Sequence, residues 1–224
     1  MFYRITGYLT LFLLLLAIPG TVNITESKAQ TKDSKPVNKR PAKIDGFRSA
    51  KFGMKDKDVL RAIQKDFKIQ KSEVTRGVSS IEQTATLSIE VPKLLPVGGP
   101  AKIGYIFGYK SKKLVQVNIA WGKGATKNVD GKSVVDAANF LRTHLIKKQY
   151  KKEGFVANAR MNDQTTVVFR GKDKKNRMAL LVLNVPKANK DENAKTTLKN
   201  VSLKLSYLQD AENPDILTIG EDDF

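Results

Sequence analysis

The chain has 224 residues and no cysteine. That absence excludes disulfides, thiolate nucleophiles and Cys-based zinc or iron–sulfur sites. It also excludes a bacterial lipoprotein anchor, which needs a cysteine directly after the signal cut. Histidine is almost missing too. His144 stands alone, so a multi-histidine metal centre cannot be built, and no partner spacing suggests a Ser-His-Asp arrangement. Its position inside a helical segment makes it a structural or surface residue. Arginine is scarce: nine of the 40 basic residues. Lysine is a hydrated point charge and arginine a planar fork, so this excess favours diffuse attraction over bidentate readout.

Acids are also in short supply, with 22 Asp and Glu against 40 Lys and Arg, for a net charge of +18. The imbalance is uneven. Residues 209–224 carry Asp210, Glu212, Asp215, Glu221, Asp222 and Asp223 without one basic residue, and residues 1–29 are nearly neutral, which leaves about +23 on residues 30–208. A charge of that size speaks to partners and solubility, not to fold.

The one long apolar run lies at the start. Met1-Phe-Tyr-Arg4 is a short basic opening, and Ile5 to Ile18 is mostly apolar around Leu11-Phe-Leu-Leu-Leu-Leu-Ala-Ile18. Pro19-Gly20 breaks it, and Ser27-Lys28-Ala29 supplies small residues at −3 and −1 of a cut after Ala29. This is the pattern of a secretory signal peptide over residues 1–29. The rival is an uncleaved inner-membrane anchor, but spanning takes roughly 20 apolar residues and this run is shorter. The expected destination is periplasmic or secreted. Residues 30–43 have no apolar periodicity and read as a disordered basic linker, so folding should begin near Ile44.

Val59, Leu60, Ile63 and Phe67 recur at helical spacing over Asp56 to Phe67. Ala85, Leu87, Ile89 and Val91 then alternate with polar residues as in a half-buried strand. After the Pro/Gly loop at 96–100 come strands through Ile103, Tyr105 and Phe107 and through Val115, Val117, Ile119 and Trp121. A second helix follows, with Ser133-Val-Val-Asp136 spaced as a capping box and Val134, Ala138, Leu141 and Leu145 on its buried face, reaching about Tyr150. Strands are expected at about 155–160, 165–171, 177–185 and 199–207. The resulting fold class is α+β: two tandem helix-plus-antiparallel-sheet units, about 44–124 and 130–208, with the helices packed on one face. An acidic tail, 209–224, closes the chain.

No catalytic, cofactor or metal constellation stands out. Gly131-Lys132-Ser133 looks like the end of a phosphate-binding loop, but the required earlier glycine is Thr126, so a plain helix cap fits better. Glu82, Glu90 and Asp163 are scattered carboxylates, and sequence cannot pair them across a cleft. Leu94-Leu-Pro-Val97 fits an exposed apolar loop or one tucked under the sheet. Phe224 ends the chain as outer-membrane barrels end, without their succession of strands. An acidic tail folding back onto a basic body accounts for that segment more simply.

The hairpin tips carry the candidate site. Phe107-x-x-Lys110-x-Lys112-Lys113 and Phe169-x-x-Lys172-x-Lys174-Lys175 share one spacing, which suggests an internal repeat. If the repeat brings them to one end of the sheet, Lys110, Lys112, Lys113, Lys172, Lys174 and Lys175 form a cationic patch for lipid phosphates or anionic polymer. The alternative is that turns are polar and this chain is lysine-rich throughout. Tyr109 is the only ring placed to stack a base, so nucleic acid is a poor fit.

Phe47-Arg-Ser-Ala-Lys-Phe-Gly-Met54, with Val59 on the helix that follows, resembles the opening of small exported proteobacterial proteins without an assigned activity, and Phe107-Gly-Tyr-Lys-Ser-Lys-Lys-Leu114 and Trp121 extend the likeness over residues 44–185. Gly53-Met54 before that helix is also similar to the helix-plus-sheet units of outer-membrane assembly lipoproteins and of secreted β-lactamase inhibitors. The chain departs from the former in lacking the anchoring cysteine and from the latter in lacking disulfides, so no functional residue carries over. The resemblance implies an exported, non-catalytic α+β protein and leaves its ligand open; the basic surface adds the expectation of a binding or scaffolding protein of the cell envelope. Its expected partner is an anionic envelope component or an acidic protein, with peripheral membrane contact and no cofactor. The competing expectations are an envelope hydrolase with an unrecognised carboxylate site and a protein-inhibitor-like module.

Overall fold

The computed structural model describes residues 40–187 and 199–218; the signal segment, residues 30–39 of the linker and Phe224 lie outside them. The class is α+β. A short hairpin of β1 (Gly46–Phe47) and β2 (Ala50–Lys51) precedes α1 (Asp56–Phe67). Four strands follow: β3 (Thr75–Val78), β4 (Ala85–Val91), β5 (Ala101–Phe107) and β6 (Leu114–Gly122). Then come α2 (Gly131–Leu145) and another four: β7 (Val156–Arg160), β8 (Thr165–Lys172), β9 (Met178–Asn184) and β10 (Ser202–Leu208). The last eight strands form one antiparallel sheet in the order β3-β4-β5-β6-β10-β9-β8-β7.

Directly opposed residues in an antiparallel pair share a face, so register decides what each side of the sheet shows. Leu87, Tyr105, Val117, Tyr207 and Ala179 fall on one row, and Ile89, Ile103, Ile119, Leu205 and Leu181 on the next. Both rows belong to a single buried cluster with Trp121, Leu203 and Phe169. Val59, Ala62 and Ile63 of α1 and Val134, Ala137, Ala138, Leu141 and Leu145 of α2 join the same cluster. Both helices therefore cover one face. Each large side chain fully buried there contributes about 1.5–3 kcal/mol. The other face, with Thr86, Ser88, Gln116, Asn118, Lys204 and Ser206, carries neither helix. Leu94, Leu95 and Val97 pack against the core, so the Pro/Gly loop is tucked under.

Four expectations change. Strand β3 is an additional edge strand; its four residues are all exposed, so Thr75-Arg-Gly-Val78 has no apolar alternation to announce it. The cap of α2 is Asp130, whose carboxylate accepts the Ser133 N–H at 3.3 Å. Ser133 instead accepts the Gly98 N–H through its hydroxyl at 2.8 Å, which ties the Pro/Gly loop to the helix. That helix also stops at Leu145, because Gln149 is already paired with the incoming chain: its N–H donates to the Arg40 carbonyl, and its own carbonyl accepts from Ala42. The end of the linker is thus part of the fold, with Ala42 and Ile44 buried.

What seats this incoming segment is Asp173, at the β8–β9 turn. It is only 2% exposed and accepts N–H groups of Ile44 (2.9 Å), Lys175 (2.8 Å) and Arg177 (3.1 Å), besides the Arg177 guanidinium at 2.7 Å. Burial alone would raise its pKa, but the Arg177 hydrogen bond and the three backbone donors outweigh it, so the carboxyl titrates below its ordinary value. A depressed carboxyl adds stability that is complete above its unfolded pKa, about 3.9, and lost as pH falls through the folded one. Asp173→Ala leaves the Arg177 charge and the Ile44 amide unpaired. It should cost about 2–4 kcal/mol in urea unfolding at pH 7, and the loss should shrink below about pH 4.

Candidate functional site: the lysine-bearing end of the sheet

Along the sheet, β5 and β8 run toward the same end and β6 and β9 start from it. The β5–β6 turn, 108–113, and the β8–β9 turn, 173–177, therefore lie side by side at that end, three strand spacings or about 14 Å apart between centres. Lys110, Lys112, Lys113, Lys174 and Lys175 are exposed there, and Lys172 is half-buried.

The reason for their convergence differs from the one suggested by spacing. Phe107 is the last residue of β5, whereas Phe169 lies inside β8 opposite Leu181; the shared spacing does not mark equivalent positions. The turn 108–113 joins the third and fourth strands after α1, and 173–177 joins the second and third after α2. The two sets of four meet through antiparallel β6 and β10. A two-fold relation across that seam would send equivalent turns to opposite ends. These two turns share an end because they are not equivalent.

Both turns are built alike in one respect: each contains a residue in the left-handed region, Lys112 (φ 53°) and Asn176 (φ 63°). Asparagine suits that conformation better than lysine. The Lys112 ammonium lies 4.8 Å from the centre of the Tyr109 ring, a cation–π contact.

Strand β10 ends at the same edge, so the acidic segment after it emerges between the two turns. Gln209 continues the pairing by donating its N–H to the Val115 carbonyl. Asp210 accepts the N–H groups of Glu212 and Asn213, both at 3.0 Å, turning the chain. Glu212 then pairs with Lys172 at 2.5 Å. Asp215 is seated on the β5–β6 turn. Its main-chain carbonyl accepts the Tyr109 N–H (2.8 Å), and its carboxylate accepts those of Lys110 (2.7 Å) and Ser111 (3.0 Å). Two successive backbone N–H groups aimed at one carboxylate, with a third on the carbonyl of the same residue, form an anion-binding concavity. Partial burial acts to raise the Asp215 pKa, but the Ser111 and Lys110 hydrogen bonds and the Lys110 charge prevail and lower it. Gly108 makes room: a Cβ there would fall 2.1 Å from a carboxylate oxygen of Asp215. Beyond it, Leu217 donates its N–H to the Glu82 carbonyl in the β3–β4 loop.

The remaining sequence candidates are not gathered here. Glu82 stands in the β3–β4 loop at this end, Glu90 near the far end of β4, and Asp163 in the β7–β8 turn at the opposite end, where it pairs with Arg160 and Lys187. His144 is exposed on the last turn of α2. Among the described residues no group of three or more His, Cys, Asp or Glu is placed to hold a metal ion. Asp215, Gly108 and Asp173 were not singled out by sequence reasoning. Only the strand that delivers the tail to this end, and the register of β5 and β6, give them their roles.

The seat has a measurable signature. Lys110 and Ser111 lie in an exposed turn, yet their amides should exchange slowly with solvent while Asp215 holds them. Asp215→Asn should raise their exchange rates about tenfold, the scale of one charged hydrogen bond, and leave β9 amides unchanged in the same spectrum. Comparison with known proteins yields no matching family model, no matching curated protein and no matching solved structure.

Proposed function

We propose that this is an exported, non-catalytic binding or scaffolding protein of the cell envelope, and that the lysine-bearing end of its sheet contacts an anionic partner. One observation carries the reading: five exposed lysines lie on two turns at the same end of the sheet. Lysine at such density attracts phosphate or carboxylate groups by charge, with little demand on geometry. The partner class is an anionic envelope component or an acidic protein. The apolar segment at residues 5–18 and the small residues before Gln30 support export. No helix among the described residues is long and apolar enough to cross a membrane.

Charge reversal tests the surface. Lys112→Glu combined with Lys174→Glu should weaken association with vesicles of phosphatidylglycerol and phosphatidylcholine about thirty-fold or more, since each lysine near an anionic surface is worth ~1 kcal/mol. Binding of the unaltered chain should fall steeply with added salt. Unchanged association of the double variant would remove the lysine turns from the reading. Intact mass of the natural protein checks export: a chain beginning at Gln30 is expected, and a full-length mass in the membrane fraction would mean an anchor.

A further inference from the structure

The Asp215 seat has features of a binding site and not only of a surface contact. Ion pairs between flexible lysines and a tail need no particular backbone. Here, in contrast, three consecutive main-chain N–H groups, at Tyr109, Lys110 and Ser111, converge on one aspartate and satisfy both carboxylate oxygens and its carbonyl. Gly108 leaves open the space that the carboxylate fills, and the Lys110 charge favours its ionised form. Its occupant is an acidic segment, held further by Glu212 on Lys172 and by the Leu217 N–H on the Glu82 carbonyl. The occupant hangs from β10 by a turn and makes its described contacts through exposed or half-exposed residues, so it can leave without opening the core.

We propose that the 108–111 turn is a carboxylate seat for an acidic peptide segment of a partner protein, and that residues 209–218 occupy it in cis as an exchangeable stand-in. The proposal rests on the reading that this end of the sheet binds anionic partners, and it narrows that class. An acidic peptide fits better than a lipid headgroup because the seat takes a backbone carbonyl as well as a carboxylate. Binding in trans then requires the tail to lift, and the apparent affinity falls by the fraction of chains whose seat is open.

A fluorescent peptide with the sequence of residues 209–218 is titrated into full-length mature chains. Asp215→Ala should bind it about tenfold more tightly than the unaltered chain, as expected if the seat is closed about nine-tenths of the time. A peptide with alanine in place of that aspartate should not bind, and adding Gly108→Ala to Asp215→Ala should abolish the gain, because the new methyl group fills the seat whichever carboxylate claims it. Asp163→Ala makes the same change of charge at the opposite end and should match the unaltered chain. Amide spectra confirm folding of each variant; Asp215→Asn, which preserves side-chain shape, should give the same order of affinities in weaker form.

Equal affinity of the unaltered and Asp215→Ala chains overturns the exchange, as does a gain that survives loss of the peptide's aspartate. A gain seen with phosphatidylglycerol vesicles but not with the peptide overturns the peptide as occupant. If the unaltered chain binds anionic probes through Lys112 and Lys174 while Asp215→Ala gains nothing, only the exchange falls. If no chain binds any probe, the reading of that end falls with it.

Discussion

Pairing of β6 with β10 is the constraint on which the rest of this structure depends. Residues 202–208 oppose 116–122 without a bulge, and this seam turns two groups of four strands into one sheet. It sets Trp121 against Leu203 and Ile119 against Leu205, so that the apolar rows of both groups run on into a single core shared by both helices. A slip of one residue would turn Leu203, Leu205 and Tyr207 toward the face without helices and bring Lys204 and Ser206 into the core. Burial on one side thereby fixes the register, and the register fixes everything at the sheet's two ends.

The electrostatics of the lysine-bearing end follow from that seam. Because β10 runs antiparallel to β6, it finishes where β6 begins, beside the β5–β6 turn. The acidic segment is therefore released at the lysine-bearing end, with Lys172 on one side and the 108–111 amides on the other. Directed hydrogen bonds hold carboxylates at this end below their ordinary pKa, among them Asp173 within the fold and Asp215 on the tail. Their partners differ in consequence. Asp173 is buried and fastens the incoming chain at Ile44, so it belongs to stability. Asp215 sits on an accessible turn, where the same kind of bond can be exchanged.

Much of the fold was legible in the residues. The spacing of Val59, Leu60, Ile63 and Phe67 marks α1 over Asp56–Phe67 as observed, and alternation marks β4, β5, β6 and β10. Legibility fails where burial stops recording position. Strand β3 is exposed throughout and has no pattern to read. The start of α2 was misplaced because Asp130 and Ser133 are both good caps, and which one serves depends on Gly98, a residue 35 positions away that draws the Ser133 hydroxyl. The matching lysine spacings do not account for the two turns sharing an end, since Phe107 and Phe169 hold different places in their strands.

By itself the sequence determined the α+β class, the order of the two helices and of the strands with an apolar pattern, the lack of cysteine chemistry and the separation of a basic body from an acidic tail. These are properties of local periodicity and composition, which each segment carries wherever it is placed. Only the tertiary structure decided that 108–113 and 173–177 share an end, that Asp173 is buried against Ile44, and that Asp215 meets three amides over Gly108. Each of those facts joins residues tens to more than a hundred positions apart through the direction and register of paired strands, and strand direction leaves no mark in the order of side chains.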